Sequence, residues 1–178
     1  MKILSAILIS VAMTGAAVAA TKDVAKTDTA MATTAVDKAT FVKTVGSAGT
    51  FEIESSKLAL QKASSADVKK FAQEMITDHT KAGKRLAAIL KKKGDAAPSE
   101  TLAPKDADAM TKLNAASGAE FDKTYIALQE SAHIEAVALF KNYIANPDDK
   151  RLGKFAKNTL PTLEMHLEHV KKLSAATQ

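Results

Sequence analysis

Residues 66–93 read ADVKKFAQEMITDHTKAGKRLAAILKKK. Steps of three and four residues from His79 pick out Val68, Ala72, Met75, Ala82, Leu86 and Leu90. These lie on one face of a helix, so the stretch is an amphipathic helix with a histidine in the middle of its apolar stripe. Ser64 with Asp67 has the spacing of an N-cap pair. At the other end Lys91-Lys92-Lys93 complements the helix dipole and Gly94 stops the helix. A stripe of this width must be buried against other elements, and the same pattern recurs along the chain.

Working outward, the first helix is expected from about Val36 to Ala63 and the second from Ser65 to about Lys93. A loop with Pro98 and Pro104 follows, then a short helical segment to about Ser117. The third long helix runs from Gly118 to Ile144 or Ala145, Asn146-Pro147-Asp148 is a tight turn, and the fourth fills Asp149–Leu173. Pro161, inside the fourth helix, removes a backbone hydrogen bond and is expected to kink it. Helices one and two, and three and four, are joined so briefly that each pair must be antiparallel. The connection between Gly94 and Gly118 can cross about 36 Å even if wholly helical, enough to return the chain to the far end. The expected fold is therefore all-α, a ferritin-like four-helix bundle over residues 37–175 with a long crossover between helices two and three.

Composition agrees and excludes much chemistry. The 178 residues are 46% hydrophobic, 25% charged and only 4% aromatic, a helix-favouring mixture poor in the residues that build sandwiches and barrels. With no cysteine there is no disulfide, thiolate metal site, iron–sulfur cluster or cysteine nucleophile. Residues 1–20 read as a signal peptide: Lys2, an apolar run from Ile3 to Met13, then small residues around Ala17–Ala20. The run is too short to anchor the chain in a membrane, so export to the periplasm or outside is expected, with no integral span after signal removal. Residues 21–36 are rich in Thr, Ala, Lys and Asp without an apolar period, a disordered tether. The net charge of +5 lies in the range that aids solubility, and no basic face interleaved with aromatics argues for nucleic acid. No nucleophile elbow, phosphate loop or nucleotide fingerprint is present. Homo-oligomerisation and a protein partner stay open.

Each long helix places one ionisable residue in its apolar stripe near mid-length: Glu52, His79, His133 and, about one turn beyond, His166. Midpoints of bundled helices meet whatever their direction, so one carboxylate and three imidazoles are expected at one level. Burying such groups is costly unless they are hydrogen-bonded, paired or ligated. The sharp reading is a metal held between helices by Glu52, His79, His133 and His166, with Asp78, Asp122, Glu130 and His169 as outer or alternate ligands. An imidazole-rich set suits Zn, Cu or Fe better than Mg or Ca. Met75 and Met165 lie nearby as soft donors, though such residues are more often packing. The competing readings are satisfied structural histidines, or a polar cluster that charges and loosens the bundle as pH falls. Glu54 faces solvent, and Tyr125 is expected as a buried ring with a bonded hydroxyl.

Met75-Ile76-Thr77-Asp78-His79, Phe121-Asp122-Lys123-Thr124-Tyr125, Ala132-His133 and Leu160-Pro161-Thr162-Leu163 followed by His166 resemble an exported bacterial family, domain of unknown function 4142, grouped with the ferritin-like bundles. The resemblance spans about Phe41–Leu173 and implies the four-helix fold and export. It supplies no activity, although the positions of Glu52, Asp78, His79, Asp122, His133 and His166 recur in the family pattern. Di-iron bundles use two Glu-x-x-His motifs, and only Glu130 with His133 fits here, which disfavours a ferritin-type ferroxidase. The functional expectation is metal binding or redox and stress protection in the cell envelope. The alternative is a non-enzymatic envelope or stress module whose histidine cluster is structural or pH-responsive. A weaker rival is a protein whose helices open onto a lipid surface.

Overall fold

The computed structural model describes residues 35–177; the expected signal segment, and the tether up to residue 34, lie outside the described residues. Five helices follow in order and there is no strand among the described residues: α1 (Lys38–Lys62), α2 (Ala66–Lys91), α3 (Pro104–Ala115), α4 (Gly118–Ala145) and α5 (Lys150–Ala176). The pairs α1–α2 and α4–α5 pack most extensively, with α1 also on α4 and α2 on α5. That is the square of a four-helix bundle, with α3 inside the crossover laid against α1 and α4. None of the described helices is long and apolar enough to cross a membrane.

The helices start and stop for local reasons. Asp37 caps α1 by accepting from Thr40 N, and Asp149 caps α5 by accepting from Arg151 N and Leu152 N. The cap of α2 is Ser65, which accepts from Val68 N, and not Ser64 as the spacing suggested. Ser64 is drawn away by Asp122 of α4, whose carboxylate accepts from Ser64 Oγ, Ser64 N and Ser65 N. Gly94, at φ +74°, turns the chain out of α2 while Asp95 N–H returns to Leu90 O. The crossover then presses against α1 at Gly46, where any Cβ would stand 2.7 Å from Ser99 O. Ser47 ties the start of α3 down, donating to Asp106 at 2.5 Å and accepting from Ala103 N at 2.7 Å. Helix α5 continues through Pro161 over its whole length.

The core is divided in two. At one end Phe51, Phe71, Met75, Phe121, Tyr125 and Val170 are buried together. At the other Phe41, Leu86, Phe140, Tyr143, Phe155 and Leu163 are, with Phe41 and Tyr143 stacked at 4.1 Å. Between them the four long helices carry Glu52, His79, Gln129, His133 and His166.

The Asp122 carboxylate is buried and holds three donors at the α1–α2 corner. Asp122→Ala is therefore expected to destabilise the chain by about 1–2 kcal/mol in urea unfolding, through the loss of hydrogen bonds from a charged acceptor to the part-buried Ser64 and Ser65. An unchanged midpoint would show that water replaces the carboxylate at no cost.

Candidate metal centre

The histidines converge. The ring centroids of His79 and His133 are 5.7 Å apart, those of His79 and His166 5.6 Å, and those of His133 and His166 5.4 Å. One ring nitrogen from each lies within 4.8 Å of the others. His133 and His166 are fully buried, whereas His79 is only partly buried. The buried ring of Phe71 packs beside His133 and His166 at 6.5 Å and beside His169 at 5.1 Å.

The hydrogen bonds orient the rings. His133 Nδ1–H donates to the Gln129 carbonyl one turn back, at 2.9 Å, which leaves Nε2 bare. His166 Nε2–H donates to Asp78 Oδ2 at 3.1 Å, which leaves Nδ1 bare. Those bare nitrogens, together with His79 Nε2, are shut from water and have no partner among the described residues. Three buried, unpartnered ring nitrogens, those of His133 and His166 acceptors, are costly as they stand. Rings whose second nitrogen is fixed by a carbonyl or a carboxylate are what metal-ligating imidazoles require. The donor set thus fits a divalent transition metal.

Electrostatics keeps the rings neutral. Burial holds the His79 pKa well below 6.5, and the neighbouring His133 and His166 push the same way. Burial also lowers His133 to about 4, against a smaller opposing effect of the Gln129 carbonyl. His166 is lowered by burial as well, with Asp78 opposing. Neutral imidazole is the metal-binding form, so protons compete little for this site near neutral pH.

The expected outer residues are not equivalent. Glu52 does not share the space of the three bare nitrogens: its Oε1 is 3.8 Å from His133 Nδ1, the nitrogen directed to Gln129, and Oε2 has no partner. Burial raises the Glu52 pKa to about 8, so it is mostly protonated at neutral pH. Asp78 is the partner of His166. Asp122 holds the α1–α2 corner, eleven residues or about 16 Å along α4 from His133. His169, one turn beyond His166, pairs at 3.0 Å with Glu74, a residue sequence reasoning passed over. Glu74, Asp78 and His166 form a second close group on the α2–α5 seam. Glu130 is half-buried and joins neither group, Met165 is exposed, and Met75 belongs to the core. Tyr125 is buried with its hydroxyl 2.8 Å from Ser56 Oγ, and Glu54 is exposed beside Lys57, both as expected. Gln129 lies one turn before His133 on the same face of α4, and its carbonyl's role has no signal in residue type.

The sequence pattern of the family described as Domain of unknown function (DUF4142) matches residues 18–173. The chain belongs to that family. Among solved structures, CopM in the Cu(II)-bound form is similar, with a TM-score of 0.67 and 17% identity. The likeness covers 78% of this chain and 96% of that one, and at this identity it shows the fold alone. Among curated proteins none matches.

The protonation pattern has a sign that can be checked on the metal-free chain. Between about 4.5 and 8 the folded state keeps a proton on Glu52 that the unfolded state releases, so stability falls as pH rises through that window. The lowered His133 acts in the opposite sense, removing stability as pH falls from 6.5 toward 4. From pH 6.5 to 8 the three lowered histidines still add stability in both proteins, so the Glu52 effect is read as the difference between wild type and Glu52→Gln. Wild type is expected to lose on the order of 1–2 kcal/mol relative to Glu52→Gln across that interval in urea unfolding. Equal losses in both proteins would mean that Glu52 is ionised in the fold.

Proposed function

We propose that this protein is an exported metal-binding bundle that holds one divalent transition ion, copper(II) foremost, on His79, His133 and His166. The observation that carries the reading is the meeting of three buried, unpartnered imidazole nitrogens, two of them on rings oriented by Gln129 O and Asp78. Imidazole donors suit Cu, Zn, Ni and Fe, and the general affinity order favours copper. The bundle likeness to a protein whose structure holds Cu(II) supports the same preference. A bound copper ion would supply Lewis acidity and one-electron redox chemistry. The chain's own contribution is to hold neutral rings in register, to fix two of them through their second nitrogens and to limit water around the site. Glu52 acts as a neutral buried neighbour of His133 rather than as a ligand. With the leader-like first twenty residues, the reading becomes metal holding or redox protection in the cell envelope.

Copper(II) and zinc(II) titrations of the metal-free chain, followed by calorimetry and elemental mass spectrometry, test this. One equivalent of copper is expected. His79→Ala and His133→Ala should each abolish uptake with helix content largely intact, and Asp78→Asn should weaken it about 10–100-fold. Asp122→Ala should bind as wild type despite its lower stability. Metal retained by both histidine variants would overturn the site. A chain that takes up no metal and loses stability on acidification would favour the pH-responsive module instead, a reading supported by the burial that lowers all three histidines.

A further inference from the structure

Residues 79–94 and 150–163 hold ten of the chain's 25 cationic residues and none of its 20 acidic ones. They are the second half of α2 with the turn after it, and the first half of α5, and all ten cations are exposed. The two helices pack side by side. A shallow groove between their basic halves is lined by Arg85, Ile89 and Lys92 from one and by Arg151, Lys154 and Asn158 from the other. Arg85 and Arg151 are the only arginines of the chain. None of the four cations in the groove joins an ion pair among the described residues, whereas the neighbouring Lys93 is held by Asp149. The other side of the bundle has no such excess: α1, α4 and the crossover from Asp95 onward carry ten acidic residues against eight cationic. Lys81 with Arg85 and Lys150 with Lys154 are like charges one helical turn apart, so the arrangement opposes folding.

We infer that this face docks the closed bundle on an anionic phospholipid bilayer, the two arginines and the lysines around them against head-group phosphates. From Lys81 to Lys92 the basic row runs about 16 Å along α2, so many phosphates in a plane meet it better than one small anion does. Guanidinium groups take phosphate oxygens in pairs, and the lysines add point charges around them. The large hydrophobic residues that are exposed, Leu60, Ile134 and Met165, all lie outside the two basic stretches. Docking is therefore electrostatic, on the surface and without insertion, which distinguishes it from a bundle that opens onto lipid. The one aromatic residue of the two stretches, Phe155, is 2% exposed, so the face has no ring on which unpaired bases could stack. No residue of the histidine trio contributes its charge or its contacts to this face, and the inference stands apart from the metal reading.

Residues 21–178 contain the whole compact unit Thr33–Gln178 and omit the apolar run Ile3–Met13, which would itself enter a bilayer. Flotation of that chain would compare vesicles of phosphatidylcholine with vesicles containing about 30% phosphatidylglycerol. At about 50 mM salt, binding to the anionic vesicles is expected to exceed binding to the neutral ones by about tenfold or more, and about 0.5 M salt should release the chain. Arg85→Gln combined with Arg151→Gln should lower the anionic-vesicle affinity by about tenfold or more, near fivefold for each charge removed. Lys112→Gln combined with Lys123→Gln removes the same charge from exposed positions of α3 and α4, and should bind as wild type. Equal binding to both kinds of vesicle, or an arginine variant that binds as wild type, would overturn the inference. Equal losses in the two double variants would overturn it as well, since net charge and not this face would then be responsible. Tighter binding to duplex DNA than to the anionic vesicles, or release by millimolar inorganic phosphate at constant ionic strength, would overturn the bilayer as the occupant.

Discussion

The structure depends on a polar layer buried across the middle of an apolar bundle. Glu52, Gln129 and the three histidines divide the core into two packed halves, and bare nitrogens of all three rings face one space without donors. In a metal-free interior each such atom has lost its water and gained nothing, at about 1–3 kcal/mol apiece. The apolar packing at both ends, with stacked Phe41 and Tyr143 at one and Phe121 stacked on Tyr125 at the other, must support that layer. An ion that uses the three nitrogens together turns the same arrangement from a cost into a source of stability.

Rigid second partners make the layer more than a coincidence of three rings. The Gln129 carbonyl belongs to the same helix as His133, and Asp78 reaches from α2 to His166 on α5. Both partners select the tautomer that turns a lone pair toward the shared space. Asp78 is thereby coupled to its sequence neighbour His79 through the site, although their side chains serve it differently. The α2–α5 seam carries a second imidazole–carboxylate pair, His169 with Glu74.

Membership of the domain of unknown function 4142 family and the likeness to CopM agree on a bundle and differ in what else they offer. The family carries no activity, and the structural likeness shows architecture alone. The chemistry therefore has to be argued from donor atoms and their surroundings. Here those donors lie at mid-bundle, where facing helices commonly build metal sites.

Helix number, helix limits within a few residues, the long crossover and the mid-helix placement of Glu52, His79, His133 and His166 were legible in the sequence. They follow from a 3.6-residue period, from caps and breakers, and from helix length, all of which are local properties. The same local reasoning misplaced the α2 cap, because Asp122 on a distant helix competes for Ser64. It also set Glu52 beside the histidines as an equal, since level along a helix is readable but rotation about its axis is not. A rotation of about 50° separates residues that share a level. Only tertiary packing turned three rings together, left Glu52 on the Nδ1 side of His133 and brought Asp78 to His166. Helix phase is set by how side chains of four helices interlock, and no single stripe contains that information.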